Sequence, residues 1–237
     1  LWACPLAAPF PCWKMTKESD TRYLVVLLAI AGPFYLNDFA SITVKDWRWW
    51  LAIDYVSVKL FPLAVIAWLI GSKRMTLAEF GLTAQGALPF LAAFLGAALA
   101  GTLIDQNAPQ LLGTLPGYAP LGGMPEIRND AWNRIDLSLG LLLVGVLEEI
   151  VFRAYAYTVI SRYTANQAAI MAISAISFGL IHWSLGLHAV LITAVIGAVF
   201  MAVYLRTRSA PALMLAHFAV NFIDFAGVIP KSIFRLF

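Results

Sequence analysis

Apolar residues along this chain come in seven long runs separated by polar stretches, and each run is close to the roughly 20 residues a helix needs to cross a bilayer. The runs cover residues 23–42, 50–70, 88–105, 137–160, 168–185, 189–205 and 212–229. Each predicts a helix, because backbone amides in lipid must find their partners within the segment. Loops 43–48 and 71–86 are short and polar, whereas 106–136 is long, with glycines and prolines scattered through it and charges near its end. The expected fold is all-α, a polytopic transmembrane helix bundle of seven spans, or eight if a short helix lies within 106–136. The long loop splits the chain into a tail (1–22), N-terminal membrane helices with the loop (23–136), a membrane core rich in buried polar groups (137–228) and a C-terminal tail (229–237). No internal repeat or low-complexity tract is present.

Composition agrees with that pattern: 61% of the 237 residues are hydrophobic, 12% are charged and the mean hydropathy is +0.80, against about 25% charged for a soluble domain. The net charge of +3 contains no Lys/Arg block longer than two neighbours, so neither a nucleic-acid surface nor a polybasic lipid patch is indicated. The expected setting is an integral, multi-pass protein of a bacterial or archaeal inner membrane. A slight Lys/Arg bias favours a cytoplasmic N-terminus. Trp47, Trp49 and Trp50 are expected as interfacial anchors. Residues 1–14, which hold Cys4 and Cys12, precede Met15 and a polar stretch and read as a non-native or alternative start; no signal peptide is expected.

The fourth run carries the costly chemistry. Glu148 and Glu149 lie side by side, with Arg153 one turn on, and one charge at the centre of a membrane helix costs about 2.5–3.5 kcal/mol on insertion scales. Glu149 and Arg153 are spaced i, i+4 in the favourable order. Glu148 points about 100° away and is free to face a cavity. The expected division is Glu148 reactive, Glu149 and Arg153 supporting; the alternative is a purely structural buried network. His182 occurs in FGLIH with Phe178 four residues before it. His217, Asn221 and Asp224 form one polar stripe on the last helix, which could instead be interhelical glue worth about 0.6 kcal/mol per contact; Asp224, near the helix end, is its weakest member. His188 reads as an interfacial residue at a turn. Asp54 and Lys59, spaced i, i+5, look poorly aligned for pairing, and Lys59 is free to snorkel.

A carboxylate and an imidazole sharing a water form a general base, and a second imidazole with a carboxamide can hold an oxyanion. Glu148 with His182, opposed by His217 with Asn221, fills those roles. The chain lacks an HExxH zinc helix, a GxGD pair and a GxSx serine loop. No metal is expected, although Glu148, His182 and His217 would make a zinc ligand set with a fourth position for water.

EEIVFR at 148–153, FGLIH at 178–182 and HFAVN at 217–221 resemble the EExxxR, FxxxH and HxxxN motifs of the CPBP family of CAAX prenyl endopeptidases and related bacteriocin-processing and immunity proteins. The resemblance covers about 135–228. It implies a glutamic-type intramembrane endopeptidase acting on a membrane-associated peptide or protein in the bilayer, with Glu148 and His182 activating water, His217 and Asn221 holding the oxyanion, and Phe178, Glu149, Arg153 and Asp224 in support. Two departures are visible: Ala154 follows the arginine where Gly is common, and seven runs stand where eight spans are frequent. Two other classes use the same residues, a transporter or proton relay built on buried carboxylates and a non-catalytic immunity or scaffold protein.

Overall fold

The computed structural model describes residues 17–236, with side chains from Asp20 onward; the tail holding Cys4, Cys12 and Met15 lies outside the described residues. Seven long helices account for the seven apolar runs, and no strand occurs among the described residues. They are α1 (Lys17–Thr43), α2 (Trp47–Gly71), α3 (Ala87–Leu112), α4 (130–160), α5 (Gln167–Leu180), α6 (Leu187–Thr207) and α7 (Pro211–Phe225). Among the described residues, 4 helices (α1, α2, α3 and α6) are long and apolar enough to cross a membrane, which makes this an integral membrane protein. Helix α4 is set apart by its charges, not by its length.

Local chemistry fixes the ends. Asp46 caps α2 by accepting from the Arg48 amide, Asn129 accepts from the Trp132 amide at the start of α4, and Asn166 accepts from the Ala168 and Ala169 amides at the start of α5. Pro211 opens α7, where its missing N–H costs nothing. No separate helix occupies 113–129 among the described residues; that segment runs as a strap over one end of the bundle. It is tied down by Leu121 N donating to Ser184 O (2.8 Å), Gly123 N to Ser41 O (3.2 Å) and Leu187 N to Tyr118 O (3.1 Å). A His188 ring nitrogen bonds Leu115 O (3.0 Å).

The middle of α4 is the centre of the molecule: Ile150, Val151, Phe152, Arg153, Ala154 and Tyr155 are all buried. Apolar side chains such as Leu28, Leu36, Leu88 and Leu95 cover the outside, as lipid contact requires. Two glycines allow close approaches. Gly145 on α4 lies where a Cβ would come 2.9 Å from Met214 O, so α7 packs backbone-close beside the two glutamates. Gly81 has φ +67° and faces Ala154, whose Cβ would lie 2.5 Å from one added there. The methyl group that Ala154 adds is accommodated by a residue with no side chain.

Two helices depart from regular α geometry. π-type turns occupy Tyr55–Leu60 in α2, and Asp136–Gly140 and Ile150–Tyr155 in α4. The first corrects a sequence expectation. Asp54 and Lys59 do form an ion pair, both of them buried, because the i→i+5 period of a π turn brings residues five apart onto one face. Trp50 is a second correction: it is buried and donates from Nε1 to Ser41 Oγ (3.2 Å), while Trp49 remains exposed.

Candidate active site

A cavity of about 1150 Å³ opens inside the bundle and is lined by Glu148, Phe178, His182, Phe200, His217, Asn221 and Asp224. The two adjacent glutamates part company there. Glu148 reaches the cavity, whereas Glu149 has no exposed surface and does not line it. The Arg153 Nε stands 3.2 Å from Glu149 Oε2, both side chains being fully buried. The guanidinium lies over Phe178, its Cζ 3.9 Å from the ring centroid, and 5.8 Å from that of Phe200. Stacking and the ion pair together offset a charge whose nitrogens make no well-aligned hydrogen bond.

His217 stands between the two carboxylates. Its Nδ1 is 2.8 Å from Glu149 Oε1 and its Nε2 is 3.3 Å from Glu148 Oε2. Two phenylalanine rings, Phe178 at 5.8 Å and Phe200 at 6.0 Å, meet the imidazole edge-on from different helices. The close α4–α7 approach at Gly145 makes this contact possible, so the imidazole beside Glu148 belongs to His217. The expected partner, His182, lines the same cavity with its Nδ1 3.3 Å from Phe178 O. A carbonyl only accepts, so Nδ1 carries the proton and Nε2 keeps its lone pair.

His182 is not on a helix, because α5 ends at Leu180. Its 14 residues rise only about 21 Å, less than the hydrocarbon core of about 30 Å. Irregular backbone at such depth is tolerated where it lines a cavity. Asn221 stands one turn beyond His217 on the cavity wall. Asp224 also reaches the cavity, but it accepts from Lys231 Nζ (2.6 Å) and Gln106 Nε2 (3.3 Å).

Sequence reasoning missed several cavity residues. Asp38 accepts from the Ser184 amide (2.7 Å), and Asn37, Asp54, Lys59 and Asp136 line the same space. Their signal was present as polar residues within or beside apolar runs. Phe200 carried none, since an aromatic in an apolar run looks like lipid contact. Among the described residues, no group of three or more His, Cys, Asp or Glu side chains is arranged to hold a metal. Both His217 nitrogens already face carboxylate oxygens, so the set Glu148, His182 and His217 does not present three free ligand atoms to one ion.

Residues 130–223 match the family model described as type II CAAX prenyl endopeptidase Rce1-like. Searches of curated proteins and of solved structures gave no match.

Proposed function

We propose, from the match of residues 130–223 to the type II CAAX prenyl endopeptidase Rce1-like model, that this chain is a multi-pass intramembrane endopeptidase that cleaves a membrane-associated substrate within a CAAX-type C-terminus. The observation that carries the reading is that Glu148, His182, His217 and Asn221 line one cavity, contributed by three separate segments, with fully buried Glu149 and Arg153 behind His217.

Each group then has one task. Glu148, facing the cavity, takes a proton from water as the oxygen attacks the scissile carbonyl carbon. His182, its Nδ1–H directed to Phe178 O, offers Nε2 to orient that water. His217 stands with Nδ1 against Glu149 Oε1 and Nε2 toward Glu148 Oε2. With the Asn221 amide it stabilises the charge that develops on the carbonyl oxygen. Proton return from Glu148 to the departing amine completes hydrolysis. No step runs through a metal ion.

The test uses purified protein in liposomes with a prenylated peptide ending in a CAAX sequence. Wild type should release the C-terminal fragment, and Glu148→Gln should lose about 10²–10⁴-fold in rate while staying folded. Retained turnover by that variant would overturn the assignment. Activity should survive treatment with a strong chelator; loss that zinc restores would instead favour a metal mechanism. Substrate-linked proton flux without cleavage would favour the transporter class.

A further inference from the structure

Lys59 is the cation of the membrane interior that the mechanism above does not use. It is 3% exposed and lines the same cavity as Glu148. Its ion pair with Asp54 rests on the π turn Tyr55–Leu60, and its Nζ lies 4.5 Å from the Tyr55 ring. Asp54 has a second partner, since Asn37 Nδ2 donates to its Oδ1 (3.1 Å) and Asn37 Oδ1 accepts from Ser57 (3.1 Å). The carboxylate is thus held whichever way the ammonium turns. An ammonium has three donors, and Asp54 accepts from one.

We infer that Lys59 receives the free C-terminal carboxylate of the substrate; this rests on the endopeptidase reading. Reach selects it. Cleavage within a four-residue CAAX end leaves at most three residues beyond the scissile bond, a span of about 10 Å when extended. Tyr55 lies against Gly140, and the turn 55–60 packs on 141–149, so α2 and α4 run side by side in the same direction. Lys59 stands about 6 Å beyond Tyr55 along that axis and Glu148 about 12 Å beyond Gly140, which puts the ammonium within one short tail of the reacting centre. The other Lys or Arg lining the cavity is Arg128, in the strap before α4, whose neighbour Ile127 packs with Trp50 and Leu51, about 12 Å or more before Lys59 along α2. It stands farther from Glu148 than Lys59 does. The remaining charged groups near Lys59 are acidic, Asp54 on its own helix and Asp136 on α4. A carboxylate entering this part of the cavity is therefore tolerated only where it meets an ammonium donor that Asp54 does not take up.

Two peptides of identical sequence, one ending in the free acid and the other in the amide, test this directly. Wild type should cleave the acid with at least about tenfold higher kcat/KM, as one charge-assisted hydrogen bond allows. Lys59→Met should erase that preference, raising KM for the acid peptide to that for the amide peptide, and Lys59→Arg should keep much of it. Equal cleavage of acid and amide by wild type would overturn the inference while leaving the protease reading intact. An equal loss on both peptides in Lys59→Met would do the same. If Lys59→Met fails to fold, the wild-type ratio and Lys59→Arg decide. Failure of wild type to cut either peptide would remove the protease reading, and this inference with it.

Discussion

Adjacent in sequence and opposite in environment, Glu148 and Glu149 should respond oppositely to the same substitution. In Glu149→Gln, Arg153 stays fully buried while losing the carboxylate 3.2 Å from its Nε. Removing one partner of a buried pair typically costs about 3–5 kcal/mol, because the remaining charge is left uncompensated. For a chain of this size, each kcal/mol shifts the melting temperature by about 2–4 °C, so a fall of roughly 6–20 °C is expected. Glu148→Gln removes a carboxylate that already reaches a cavity, leaves Glu149 on His217, and should cost about 1 kcal/mol or less. Thermal unfolding of both variants in the same detergent, followed by loss of the monodisperse peak, measures the difference. The double variant Glu149→Gln, Arg153→Met should recover most of the loss, since it removes both charges together. Equal destabilisation by the two single variants would refute the division of roles, and so would a double variant no more stable than Glu149→Gln.

Three further outcomes follow from the geometry. Asn221→Ala should lower kcat by about 10²–10³-fold with little change in KM, as loss of an oxyanion donor does, read from steady-state cleavage kinetics. Gly145→Val should displace α7 from α4, because even its Cβ would lie 2.9 Å from Met214 O; both melting temperature and turnover should fall, whereas Gly96→Val, at a position with open space around it, should change neither. Phe178→Leu removes the ring under Arg153 and should destabilise by about 1–2 kcal/mol beyond the lost packing, with a correspondingly lower melting temperature.

Helix placement was legible because membrane spans are set by runs of apolar residues, and all seven predicted runs carry helices. The inequality of Glu148 and Glu149 was legible as well, since it follows from 100° per residue up to the start of the π turn at Ile150. The Asp54–Lys59 pair was not, because a π turn leaves no mark on hydrophobic periodicity and the α-helical ruler misplaces residues five apart. The imidazole that faces Glu148 was equally hidden. That depends on how near α7 comes to α4, which is decided by one missing side chain at Gly145 and not by any spacing within a motif. Phe200 shows the limit from the apolar side: burial against Arg153 and His217 and exposure to lipid call for the same residue type.

The buried polar groups form two electrostatic units at one cavity. Around α4, Arg153, Glu149, His217 and Glu148 make a continuous chain, with successive contacts of 3.2, 2.8 and 3.3 Å. The charges of Arg153 and Glu149 cancel at membrane depth, while His217 and Glu148 meet the cavity. Along α2, Asp54 and Lys59 form a second neutral pair. Each unit is built on a π turn, at Ile150–Tyr155 and at Tyr55–Leu60, where a widened helix brings groups into register that regular geometry would spread apart. A reacting group in lipid must be ionised when used and neutralised when idle. In the reaction we propose, an anchored chain meets both demands, because Arg153, Glu149 and His217 stay in place while Glu148 takes a proton from water.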